Sequence, residues 1–117
     1  MGALSSKLRS GEGGKIFFRC PGCGEAHGIT VGDGPGPRWG YNGNPERPTF
    51  TPSILVRGSK VVRDADGNWT GEWEHDEHGN HVKFVCHSFV KDGRIQFLGD
   101  CTHALAGQTV DLPNWER

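Results

Sequence analysis

Hydrophobic residues along this chain alternate with polar ones in short runs and never settle into a sustained 3.6-residue spacing. Lys15–Arg19 (KIFFR), His27–Val31 (HGITV), Ser53–Arg57 (SILVR), Val82–Val90 and Arg94–Leu98 each read as an extended strand. A further strand is predicted over Arg38–Asn42, with Trp39 and Tyr41 on one face. Turn-forming clusters separate these runs, the densest being Gly32–Pro37 (GDGPGP). Lys91-Asp92-Gly93 joins the last two runs as a tight hairpin, with glycine where a positive φ is needed. The stretch Pro45–Pro52 contains three prolines and belongs at a sheet edge or in irregular chain, because proline has no N–H to give a central ladder. Thr102–Gly107 has room for one helical turn.

The pattern therefore predicts a mainly β fold: a small single domain of antiparallel strands and hairpins over residues 15–117. A polar Gly/Ser-rich segment over residues 1–14 reads as a flexible tail. Residues 58–80 read as an exposed insertion with a turn at Asp66-Gly67 between Lys60–Arg63 and Trp69–Trp73. Trp69 and Trp73 share one face of it, available to the body of the protein or to a partner. His75, His78 and His81 would line up on a helix, but Asp76, Gly79 and Asn80 make this stretch a solvated loop.

Composition sharpens the picture in one respect. Only 33% of the 117 residues are hydrophobic, with 19 glycines and seven prolines, so the core is thin and calls for a staple. Net charge is −1 with acidic and basic residues interleaved, and no basic stripe suggests a nucleic-acid partner. No stretch has the apolar core of a signal peptide or the length of a membrane span. A cytoplasmic address follows as an expectation, and with it reduced thiols.

Four cysteines supply the staple. Cys20-Pro21-Gly22-Cys23-Gly24 has the form of a zinc knuckle, in which glycines let the turn tighten until both thiolates reach one ion at about 2.3 Å. Cys86 lies late in one hairpin strand and Cys101 just beyond its partner, so the hairpin can bring both to its open end. Cys20, Cys23, Cys86 and Cys101 are therefore the expected ligands of one structural zinc ion. His27, His87 or His103 is an alternative to one of the later cysteines. Rival readings are a redox pair at Cys20/Cys23, free buried thiols, and a catalytic zinc with three protein ligands and a water.

Strand alternation puts Phe84, Cys86 and Ser88 on one face of their run and Val85, His87 and Phe89 on the other. If Cys86 faces a metal, His87 is free for other work. Ser53 follows the abrupt Pro-rich bend PTFTP and can present a hydroxyl. A serine nucleophile needs a neutral imidazole as base and a carboxylate to orient it. Ser53, either His87 or His103, and Asp100 fill those roles, with backbone N–H groups near Ser53 or the glycines as an oxyanion site. The plainer alternatives are that Ser53 is a turn residue and that Asp100 caps the turn at Thr102–Gly107. Ser88 is a rival nucleophile, but it shares a face with Cys86 and is better placed to hydrogen-bond a thiolate.

Three blocks, CPGCGEAHGITV, RPTFTPSILV and CHSFVKDGRIQFLGDCTHALAGQTVDLP, resemble a family of small phage and bacterial proteins catalogued as a domain of unknown function and often mislabelled ammonia monooxygenase. Some of its members accompany bacterial ubiquitin-like conjugation operons and are similar to serine peptidases acting on the ubiquitin-like protein. Carried onto this chain, the resemblance implies Ser53 as nucleophile, with His87, Asp100 and His103 supplying base and orienting acid. It implies a zinc-stabilised serine-type peptidase that cuts a peptide or isopeptide bond of a protein substrate. The alternative is a non-catalytic phage or prophage zinc module that binds a host or virion protein.

Overall fold

A computed structural model describes residues 2–115; Met1 of the expected tail and the last two residues of the expected 15–117 domain lie outside it. In chain order the strands are β1 (Gly2–Ala3), β2 (Leu8–Ser10), β3 (Lys15–Cys20), β4 (Glu25–Thr30), β5 (Gly40–Tyr41), β6 (Phe50–Ser59), β7 (Val61–Arg63), β8 (Trp69–Trp73), β9 (Lys83–Lys91), β10 (Arg94–Phe97) and β11 (Thr109–Asp111). They pair antiparallel into a four-stranded sheet, β1-β2-β3-β4, a five-stranded sheet, β11-β10-β9-β6-β5, and the separate hairpin β7-β8.

Each strand of the core obeys the period of two. In β3, Ile16, Phe18 and Cys20 are buried while the residues between them are not; in β9 the buried set is Cys86, Ser88 and Val90. The two larger sheets meet through these inner faces, with the Phe18 ring stacked on Phe50 at 6.3 Å between centroids. The fold is thus mainly β and antiparallel, as the alternation predicts. No helix among the described residues is long and apolar enough to cross a membrane.

Three expectations need correction. Residues 2–10 are not a loose tail: β1 and β2 extend the first sheet, and Leu8 is fully buried opposite Phe18. One apolar side chain in a polar stretch is enough to fasten it, helped by the Ser5 hydroxyl donating to the Pro45 carbonyl (2.7 Å). The Pro-rich segment is not at a sheet edge: Phe50–Pro52 belong to β6, between β9 and β5, and Thr51–Pro52 fall in the irregular part of its pairing, the other place open to a proline. Thr102–Gly107 forms consecutive turns and no helix.

The insertion stands out as β7-β8, with every residue of Trp69–Trp73 exposed. His75 and His81 bridge across its loop, and in solvent the His81 ring stacks on Trp73 and meets His75 edge-on. An Arg63–Glu25 ion pair ties the hairpin to β4.

The β9-β10 connection is a two-residue turn in which Asp92 and Gly93 both have positive φ (52° and 78°). A Cβ at Gly93 would also crowd the Arg47 backbone at 3.2 Å. Gly93→Ala is therefore expected to lower unfolding free energy by about 1–2 kcal/mol, read from urea titration.

Candidate functional site

Strand β6 is not evenly paired with β9. Phe50 faces Val90 and Ile54 faces Ser88, so Thr51, Pro52 and Ser53 stand against the single residue Phe89. Such a bulge bends the strand and re-aims the side chain within it. The Thr51–Pro52 peptide is cis, and the Trp39 indole N–H donates to the Ser53 carbonyl (3.2 Å). Ser53 is left half-buried, its hydroxyl directed along the outer face of the five-stranded sheet toward His87.

There Ser53 Oγ lies 3.0 Å from His87 Nε2, and His87 Nδ1 lies 3.1 Å from Asp100 Oδ2. A carboxylate only accepts, so Nδ1 carries the ring proton and donates to Asp100. Nε2 is then the acceptor for the Ser53 O–H. This is the chain of contacts a serine nucleophile, its base and an orienting acid require. The His87 side chain is 26% exposed and that of Asp100 56%, so the ion-pair end of the chain is wet.

Asp100 sits on a loop that is laced to β9 at His87 and at Val85. Leu98 N–H donates to the His87 carbonyl (2.9 Å), and Thr102 N–H to that of Val85 (2.9 Å). Side chains continue the pattern: the Cys101 thiol accepts from His87 N–H and donates to the His87 carbonyl, both at 3.2 Å. Thr102 Oγ1 does the same for Val85, at 3.0 and 3.3 Å.

On the opposite face of β9 lies the cysteine cluster. The ligand atoms of Cys20, Cys23, His27 and Cys86 all lie within 4.8 Å of one another, a set that can hold a metal ion. Cys20 and Cys86 sulfurs are 3.7 Å apart, and Cys23 N–H donates to Cys20 Sγ (3.4 Å). Hydrogen bonds from the Cys23 and then the Cys86 thiol hold Cys20 far below the ordinary thiol range. The same sharing pushes Cys23 up to about 12 and raises Cys86 as well. Three thiols sharing one negative charge are what a divalent cation would deprotonate on binding. His27 supplies an independent sign: it is buried, and its Nε2 has no hydrogen-bond partner among the described residues.

A second group, Cys86, Cys101 and His103, is equally close, but its other two members are engaged otherwise. Cys101 spends both its hydrogen-bonding capacities on the His87 backbone. His103 Nδ1 accepts from Leu105 N–H (3.2 Å), which puts the ring proton on Nε2, aimed at the Cys86 sulfur 3.5 Å away. The ring also packs edge-on against Phe97 and over Gly22, where any Cβ would collide with it.

The expected residues therefore fall into two groups on two faces. Ser53, His87 and Asp100 come together on the outer face, whereas His103 lies against Cys86. Cys20, Cys23 and Cys86 cluster with His27, and Cys101 is fastened to the backbone of His87. Ser88 is buried on the core face with no partner for its hydroxyl among the described residues. The signal for His27 is its place in β4, where it alternates in phase with the buried Ile29.

No curated protein and no solved structure matches the chain. A family model described as BubE, the bacterial ubiquitination-like system serine protease, matches residues 2–98. The matched span holds Ser53, His87 and the four clustered metal-ligand candidates, and stops two residues before Asp100. With most of its length matched, the chain belongs to the BubE family of bacterial ubiquitination-like system serine proteases.

Proposed function

We propose that this protein is a zinc-stabilised serine peptidase that cleaves a peptide or isopeptide bond, with a ubiquitin-like protein as its substrate. The observation that carries the reading is the unbroken contact chain Ser53 Oγ–His87 Nε2 (3.0 Å) and His87 Nδ1–Asp100 Oδ2 (3.1 Å). The family description supports the serine chemistry and the ubiquitination-like setting.

In this reading Ser53 Oγ attacks the scissile carbonyl carbon as its proton passes to His87 Nε2. Asp100 holds the ring in the tautomer that leaves Nε2 free and stabilises the imidazolium that forms. The tetrahedral intermediate collapses by breaking the C–N bond, and His87 returns the proton to the departing amine. Water, deprotonated by His87, then attacks the acyl-Ser53 ester and restores the hydroxyl. His103 has no part in these steps.

Zinc suits the metal set because cysteine thiolates and a histidine imidazole are the donors a structural zinc ion takes. Cys20, Cys23, His27 and Cys86 would hold the ion, which supplies folding energy and no reaction chemistry. Four free thiols and the bacterial setting of the family favour a cytoplasmic location.

Ser53→Ala is expected to abolish cleavage of a ubiquitin-like fusion and labelling by a fluorophosphonate; retained cleavage would sink the assignment. Asp100→Asn is expected to lower kcat by about 10- to 100-fold, less than for a buried orienting acid, since water can reach His87 Nδ1 beside a carboxylate this exposed. Steady-state kinetics on the same fusion measures it. Elemental analysis of the purified protein is expected to give one zinc per chain. Stoichiometry should fall in His27→Ala and persist in Cys101→Ser and in His103→Gln.

A further inference from the structure

We infer that Leu55 and Phe89 form the subsite that selects the substrate, and that it takes a polypeptide with an apolar side chain on the residue whose carbonyl is attacked. The inference rests on the reading of Ser53 as nucleophile. Leu55 is 48% exposed and Phe89 42%, two of only five large hydrophobic side chains so exposed among the described residues. Their location is what gives that exposure meaning. Leu55 follows Ser53 by two residues in β6 and is the register partner of His87. Phe89 follows His87 by two residues in β9 and is the single residue opposing the Thr51–Ser53 bulge. The period of two puts both on the face that carries Ser53 and His87.

The Ser53–His87 contact thus has an aliphatic side chain beside it in one direction and an aromatic one in the other. Further out, the exposed positions turn polar, with Arg57, Lys91 and Gln96 all in solvent. Apolar exposure is confined to the immediate neighbours of the triad and is not spread over the sheet. A substrate side chain laid there would cover surface that the fold itself leaves in water.

The openness of the face points to a polypeptide. The cavity of about 960 Å³ beside the insertion is lined by residues such as Trp69, Trp73, Phe84 and His103 and includes no member of the triad. A site on an open sheet holds its substrate by contact along a chain and not by enclosure, so the side chain next to the attacked carbonyl does much of the selecting.

The test uses the full-length protein and three reagents: a small alkyl fluorophosphonate, and two peptidyl phosphonate diphenyl esters identical but for a leucine-like or glutamate-like side chain next to phosphorus. The wild type is expected to react with the leucine-type ester about tenfold or more faster than with the glutamate type. That ratio is expected to collapse to within about threefold in Leu55→Asn and in Phe89→Ser. Fluorophosphonate labelling at Ser53 together with a wild-type ratio near one, or with a ratio that survives both substitutions, overturns the subsite and leaves the serine chemistry standing. No labelling by any of the three removes the nucleophile reading and the subsite with it.

Discussion

The pairing of β6 with β9 is the constraint from which the rest of this molecule follows. Its alternation gives one strand two occupations: Cys86 turns inward to the cysteine–histidine cluster, and His87, the next residue, turns outward to Ser53. A one-residue slip in register would exchange the faces and lose both sites at once. The bulge at Thr51–Ser53 is tolerated within this pairing because Phe50 and Ile54 are buried on either side of it and hold the register. The irregularity is therefore local, and it falls on the residue whose hydroxyl has to leave the even course of the strand to meet an imidazole.

The loop after β10 couples the two faces. Asp100 faces His87 across water-exposed surface, an arrangement that by itself contributes little to stability. What keeps it in place is the lacing of Leu98, Cys101 and Thr102 to the backbone of β9, where a thiol and a hydroxyl take the hydrogen-bonding places a neighbouring strand would occupy. One residue on from Thr102, His103 reaches back over Gly22 and points its N–H at Cys86. The short stretch from Asp100 to His103 therefore touches both faces, the carboxylate at His87 and the imidazole at Cys86.

Much of this arrangement is legible in the amino-acid sequence, and the reasons differ by residue. The separation of Cys86 from His87 follows from the period of two, and the Asp92-Gly93 turn follows from its need for positive φ. Which of His87 and His103 lies against Ser53 is not legible there, because it depends on turns at Thr102–Gly107 whose direction no periodicity encodes. The contacts of Cys101 are hidden for the same reason: spacing brings it to the open end of the hairpin, but only the register shows its sulfur on the His87 peptide groups. His27 carries a signal, a buried-phase position in β4, yet a histidine in such a position is more often a core residue than a ligand. Leu8 is hidden by its polar neighbours, since a single apolar residue makes no pattern.

Openness and thin construction belong together here. A chain with this little hydrophobic mass makes two sheets and one core between them, and the layer is used up by Phe18, Phe50, Phe97 and their neighbours. Among the described residues no third layer roofs the outer face of the second sheet, so Ser53, His87 and Asp100 meet on an open surface. Charges in that position are screened by solvent, and any chain that covered them would strengthen the His87–Asp100 interaction.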